Sequence, residues 1–428
     1  MNDAPVNAKS YIRLMVLIAL LGVASAVVTF AFMALVNLTT RVIWDLAPHA
    51  LGLDPRLFTF LVCTLGGLVV GLLVKLFGDH NAIFSDLMKE FGKTGRFDYR
   101  HAPGIVVTAF FSLIAGAALG PEAPLADACG GMGTLMGDKL KLDKRETRTL
   151  GFGGLSSMLA AFITNPFGGA LLSLESSKGG MSGMQGYLWG LFPSLLGSAV
   201  ATVVFVGLTG SFFSQLYSFP AYIPRLEDLL IAVPLAVIGG LAGLVFTLVF
   251  KALRKLMQPL NNHLVLRGLI GGLGMGIIGA LLPLTLFSGE EQTVELVKGA
   301  TTLGFGMLIL LAFSKLLATS LLLATGWKGG YIFPIMFAGI ALGMASTLLF
   351  PGVPTAVTVA AVLAGVLVAV LRAPLFAALF TLALVDAETA PVVAVAVLVG
   401  SLMTAYLVRR ESRQESAEVQ AAPLPTAD

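Results

Sequence analysis

Charge is the first thing this sequence is short of. Lys, Arg, Asp and Glu make up 12% of its 428 residues, about half the share of an ordinary soluble domain. A chain so poor in charge does not read as a solvated globular enzyme. Its net charge of +3 sits mostly in short loops, where basic residues orient a membrane protein, and leaves no footprint for nucleic acid. Cysteine is nearly absent too. Cys63 and Cys129 lie in apolar or Gly-rich stretches without ligand spacing, which speaks against a disulfide framework or a zinc site. The four histidines, His49, His80, His101 and His263, avoid the middle of every clear apolar run. Gly153-Gly154-Leu155-Ser156-Ser157 superficially resembles a serine nucleophile, yet no His-Glu-x-x-His and no paired intramembrane aspartates accompany it. No enzyme activity, metal or cofactor is expected.

What fills the chain instead is apolar, at 57% of its residues. A helix needs roughly 20 apolar residues to cross a bilayer core. Runs on that scale recur at 14–38, 57–74, 186–213, 229–250, 268–288, 331–350, 353–371 and 391–408. Others, such as 104–120, are short or interrupted by Gly and Pro and read as broken spans. Lys9 and Arg13 ahead of an apolar stretch imitate a secretory signal, but the stretch continues to residue 38, so it reads as a retained first span. Basic residues at 139–148 and 409–413 point to the cytoplasmic side. The expected protein is multi-pass in the cell (inner) membrane. Residues 1–13 form a cytoplasmic segment, 14–220 and 221–410 two membrane halves, and 411–428 a polar, disordered tail.

The two halves echo each other. Gly120-Pro121-Glu122-Ala123-Pro124 opens a small-residue run, and Asn165-Pro166-Phe167 follows 42 residues after Pro124 (166 − 124). Gly330-Tyr331-Ile332-Phe333-Pro334 opens another, and Ala373-Pro374-Leu375 follows 40 residues after Pro334 (374 − 334). Two motifs in the same order at nearly the same spacing mark an internal repeat. Repeats with Gly/Pro-interrupted segments in matching positions are how transporters build a substrate site near the bilayer midplane.

Those segments have a definite chemistry. Gly and Pro stop an incoming helix, while Pro suits the first turn of a new one. A helix that starts inside the membrane presents unpaired N–H groups and the positive end of its dipole, for which an anion is the natural partner. Gly120 and Ala123 in the first half, and Gly330, Tyr331, Ile332 and Phe333 in the second, are the candidate anion-binding residues. Such a site holds a halide without a full countercharge, so the ion is still able to leave. Glu122 is the costly exception, since a carboxylate inside a membrane marks function by default. Ionised, it would occupy the anion site and close it; protonated, it would swing away. It is the candidate gate.

These motifs resemble the ClC chloride channel and chloride/proton antiporter family, whose patterns are Gly-(Lys/Arg)-Glu-Gly-Pro and Gly-x-Phe-x-Pro. Gly120, Glu122 and Pro124 match the first, and Gly330 and Pro334 the second, with Ile332 where the family has Phe. The resemblance covers about residues 15–410 and looks like a short, divergent bacterial branch without CBS domains. It implies an all-α fold of about 16–18 helices, in two inverted halves with broken helices meeting at a central anion site. It also implies a homodimer, and transport of a chloride-like halide by a channel or an anion/proton antiporter. Three family features differ. The serine-bearing motif is replaced by Gly78-Asp79-His80-Asn81-Ala82, which makes His80 and Asn81 the candidates at the serine position. The second of two glutamates is replaced in Glu175-Ser176, leaving Glu175 as the candidate for a proton route. The tyrosine near the last helix has no counterpart. A fluoride-preferring exporter, or a carrier of another substrate, are the alternatives.

Overall fold

Polar caps and prolines decide where the helices of this chain begin. Asp54 accepts the N–H groups of Arg56 and Leu57 at 2.9 and 3.1 Å, just ahead of Pro55. Asp143 and Glu146 form a reciprocal capping box, and Asn165 accepts from Phe167 and Gly168 ahead of a helix that starts at Pro166. The computed structural model describes residues 8–48, 52–80, 83–176, 184–211, 213, 217, 219–220 and 222–421.

These residues form fifteen helices. In chain order they are α1 (Ala8–Leu46, its last turn π-helical), α2 (Pro55–Phe77), α3 (Phe84–Thr94), α4 (Ala102–Ile114), α5 (Glu122–Lys139), α6 (Lys144–Ile163), α7 (Pro166–Ser176) and α8 (Met184–Thr209). The second half holds α9 (Leu226–Met257), α10 (Leu264–Leu281), α11 (Glu290–Ala324), α12 (Ile332–Leu349), α13 (Thr355–Leu371), α14 (Pro374–Leu384) and α15 (Ala390–Ala421). Gly304 breaks α11 with φ 74° and ψ 167°, which brings the helical pieces to sixteen. Eight helices are long and apolar enough to cross a membrane. The expected half boundary falls between α8 and α9. The stretch 411–421, expected as a disordered tail, instead continues α15 as helical backbone, as its Glu, Arg, Gln and Ala content permits.

The repeat is visible residue by residue. Helices α5 and α12 both have 18 residues, and α7 and α14 both have 11. Helix α4 ends at Ile114 and α11 at Ala324, 210 apart (324 − 114), and α5 and α12 start at the same offset (332 − 122). Both connecting segments turn through a glycine at positive φ, Gly116 at 86° and Gly326 at 88°. The next junction repeats at an offset of 208 (372 − 164), where Thr164 and Arg372 both take the left-handed conformation, at φ 48° and 55°.

Helices α2 and α10, partners under this repeat, pack backbone to backbone. A Cβ built on Gly67 would stand 2.6 Å from the Gly268 carbonyl oxygen, so only glycine allows the approach. Helices α12 and α13 are buried almost throughout. The outer helices instead expose Leu20, Leu65, Leu72, Val203 and Leu281 by half or more, a surface suited to lipid rather than water.

One face of the bundle gathers the charged ends. Arg96 pairs with Asp138 and Arg254 with Asp86, while Ser10 donates to Glu146 at 2.8 Å. The end of α5 and the starts of α1, α3 and α6 therefore lie together with the end of α9. This is called the basic face below.

Candidate anion site

Two seven-residue segments, 115–121 and 325–331, run without helix into the starts of α5 and α12. They meet head to head. Gly120 N–H donates to the Gly330 carbonyl at 2.9 Å and Gly330 N–H returns a bond to the Gly120 carbonyl, the one isolated β-bridge among the described residues. Thr319 donates to the Ala118 carbonyl at 2.8 Å, and Lys328 N–H donates to the Ser112 hydroxyl at 3.2 Å. The bridge satisfies backbone groups that would otherwise be stranded in an apolar medium.

Glu122 lies across this bridge. Its Oε1 accepts the Ile332 N–H at 2.6 Å, and the Phe333 N–H also faces the carboxylate. Under the 210-residue offset Ile332 is the counterpart of Glu122 itself, so the first residue of α5 sits on the first N–H of α12. The side chain is 1% exposed, and Oε2 has no hydrogen-bond partner. A Cβ on either Gly120 or Gly330 would collide with this carboxylate, so both glycines are there to make room for it. Charge, a helix terminus and a spare buried oxygen thus coincide, as at an anion site occupied by the protein's own anion.

The candidate residues do not all meet at one point. Ile332 and Phe333 offer N–H groups to Glu122, while Gly120 and Gly330 spend theirs on each other and contribute space. Ala123 is buried beside them. Tyr331 is buried with its phenol near Ser85 and its ring 5.9 Å from that of Phe246. His80 goes elsewhere: its ring nitrogen lies 3.0 Å from the Phe77 carbonyl, and the ring stacks on His101 at 3.8 Å. Asn81 lies outside the described residues. Glu175 is fully engaged, its two oxygens accepting the N–H groups of Leu375 and Phe376 at 2.7 and 2.8 Å. The reason is local. Helix α7 carries its own cap in Asn165, but the matching residue ahead of α14 is Ala373, and Glu175 supplies the missing acceptor.

Three charged features stand apart from these candidates. Lys328, directly before Gly329-Gly330, donates to Asp79 at 3.0 Å and to the His80 carbonyl at 2.5 Å, and Arg267 pairs with the same Asp79. They line a cavity of about 400 Å³ on the basic face, together with Arg254, Gln258 and Asn261. Burial acts to push the Asp79 carboxyl up, but Lys328 and Arg267 override it and hold the group below its ordinary value. Lys315, fully buried, donates to the carbonyls of Thr285, Leu286 and Phe287 at 3.0, 2.9 and 2.7 Å and faces the Phe337 ring. Glu290, the first residue of α11, has a buried Oε1 with no partner. The run Ser288-Gly289-Glu290-Glu291-Gln292 reads as an ordinary polar loop, and nothing in it signals burial.

Comparison with known proteins agrees with this architecture. Residues 66–405 match the family model described as voltage gated chloride channel. A protein of Escherichia coli O1:K1 / APEC named "Putative ion-transport protein YfeO" is 29% identical over 361 residues, covering 81% of this chain and 83% of its own. The protein of the same name from Escherichia fergusonii is 28% identical over the same length. Among solved structures, a slow cyanobacterial Cl−/H+ antiporter superposes with a TM-score of 0.81 at 23% identity, over 92% of this chain and 95% of that one. A CLC-type fluoride/proton antiporter gives 0.75 at 18% identity, over 93% and 97%. At such identities the structures speak for the fold alone.

Proposed function

We propose that this chain, which belongs to the voltage gated chloride channel family, passes a small halide-like anion through the site where Glu122 meets α12, with Glu122 as the gate. The observation that carries the reading is the 2.6 Å bond from Ile332 N–H to Glu122 Oε1. The carboxylate stands where a transported anion would take the same N–H. Ionised Glu122 competes with the anion. Protonation removes the charge that α12 attracts, the side chain leaves, and the anion takes its place. Anion passage and Glu122 protonation are then linked, which is the minimum an anion/proton antiporter needs.

The basic face is the cytoplasmic one under the positive-inside rule, and the cell membrane is the setting. Chloride is the first substrate to test and fluoride the second. The fluoride reading draws support from the segment after α2, where the sequence puts His80 or Asn81 at the family's serine position, and from the likeness to a fluoride/proton antiporter. A proton route through Glu175 would require two hydrogen bonds to α14 to break. A second copy of the chain is the expected partner, with one pathway per subunit. The apolar faces of α8 and α15, with Val203, Leu398 and Leu402 exposed, are open to it or to lipid.

The test is reconstitution in liposomes, with chloride and fluoride efflux recorded alongside proton movement. Halide efflux well above that of empty vesicles, with Glu122→Gln removing its pH dependence, is the expected result. No efflux of either ion, or a Glu122→Gln variant that behaves as the parent, would sink the reading. Proton movement alongside the halide makes the protein an antiporter; its absence makes it a channel.

A further inference from the structure

Glu290 is a half-buried acid, with one carboxylate oxygen out of solvent, that the gate reading leaves unused. Its place follows from three helix ends. Helices α1, α6 and α8 all start at the basic face, where Ser10 bonds Glu146 and Arg145 bonds Gln185. Their far ends supply Asn37, Phe162, Thr164 and Thr209, which line a cavity of about 440 Å³ that Glu290 also lines. This cavity therefore opens on the face opposite the basic one. Its wall reaches the gate through tilted and edge-on rings. Phe162 and Phe213 pack on Phe333 with ring centres 4.9 and 5.7 Å apart, and Phe333 neighbours Ile332, which holds Glu122.

The charges around Glu290 can be named from each element that meets it. Glu122 lies within electrostatic reach, and so does Glu291 on the same helix. From the segment before α9, the Tyr217 hydroxyl donates to the Glu290 backbone carbonyl at 3.1 Å, leaving the carboxylate untouched. Lys315 lies beside Gly289 but is committed to three carbonyls. Among the described residues, α1, α6, α8 and the turns that follow α6 and α8 bring only Asn37, threonines, Ser211 and apolar side chains to the cavity. So Glu122 and Glu290 each keep a buried carboxylate oxygen that bonds to nothing. Two negative charges within electrostatic reach of each other repel in a poorly screened medium, and one proton between them relieves the cost.

We propose that Glu290 is a second acid of the anion path, exchanging protons between the outer cavity and Glu122 and so setting when the Glu122 side chain leaves the Ile332 N–H. The outer solution protonates the Glu290 carboxylate; the carboxylic acid then gives that proton to the Glu122 carboxylate, and Glu290 returns to its anionic form. Only O–H bonds break and form. The reverse sequence releases a proton outward. This inference rests on Glu122 being the gate.

Halide efflux from proteoliposomes, measured across pH in the parent, Glu122→Gln, Glu290→Gln, Glu290→Asp and the double glutamine variant, tests it. Neutralising Glu290 removes a repelling charge from Glu122, so the pH at which efflux rises should move toward acid by about one unit. Glu290→Asp should stay near the parent. The double variant should match Glu122→Gln, because Glu290 acts through the gate. A Glu290→Gln curve superposing on the parent's, while Glu122→Gln is flat, overturns this inference alone. A Glu290→Gln shift that persists in the Glu122→Gln background also overturns it. If Glu122→Gln keeps the parent's pH dependence, the gate reading has failed and this inference falls with it.

Discussion

The carboxylate of Glu122 accepts the backbone N–H of Ile332 at 2.6 Å, and the two residues are each other's counterparts in the internal repeat. The sequence departs from its own symmetry at one atom group. Both halves supply a helix start, but the first adds a side chain able to fill the space between the two.

That geometry predicts the effect of crowding it. A Cβ at Gly330 would overlap the Glu122 carboxylate, and Gly330 is not among the glycines with positive φ, so alanine suits the backbone. Gly330→Ala should evict the carboxylate and raise halide efflux at neutral pH toward that of Glu122→Gln. Adding Glu122→Gln to it should change nothing further. Parent-like efflux and pH dependence in Gly330→Ala would show that the carboxylate does not block the path.

Lys315 predicts a stability effect without a charge partner. Three loop carbonyls preceding α11 lean on its ammonium. Lys315→Met preserves the length of the side chain and removes every donor, leaving those carbonyls unsatisfied at a cost of about 3 kcal/mol. Thermal unfolding of the purified protein in detergent measures this, and a variant as stable as the parent would contradict it.

Asp79 predicts a pH dependence outside the membrane spans. Its carboxyl is held below its ordinary value by Lys328 and Arg267 against burial. A depressed carboxylate contributes stability above its unfolded pKa and loses it as pH falls through the folded one. Asp79→Asn should therefore be less stable than the parent at neutral pH. The two should converge only below the ordinary carboxylate range. Parallel stability curves down to pH 3 would argue against the Asp79 cluster as a stabilising one.

Glycine packing predicts a contrast between two helices. Gly67→Val on α2 meets the backbone of Gly268 and Gly272 and should cost roughly 1–3 kcal/mol or more through overpacking. Gly207→Ala on α8 meets nothing within 4 Å and should be neutral or slightly stabilising. Equal losses in both would mean that the close approach of α2 and α10 does not set the cost.

Much of the site was legible because it is built from backbone. Gly120, Pro124, Gly330 and Pro334 announce helix starts by residue type alone, and the two spacings of 42 and 40 residues betray the repeat. What stayed hidden depends on pairs of side chains far apart in the chain. Asp79 meets Lys328 across 249 positions, and Glu175 meets Leu375 across 200. No local pattern encodes either. His80 was attractive as a rare polar residue near the expected serine position, but in place its own turn claims it through the Phe77 carbonyl. Glu290 was invisible for the opposite reason, since it begins α11 in what reads as a solvated loop.

The paired hydrogen bonds between Gly120 and Gly330 carry a consequence for how the molecule moves. A carrier that rocks one half against the other must have a seam that opens at its substrate site. Here the two halves are stitched together at that point, and opening the seam would strand two N–H groups and two carbonyls in an apolar interior. Under the proposed gate, passage between the two sides of the membrane is then work for side chains, while the scaffold stays shut.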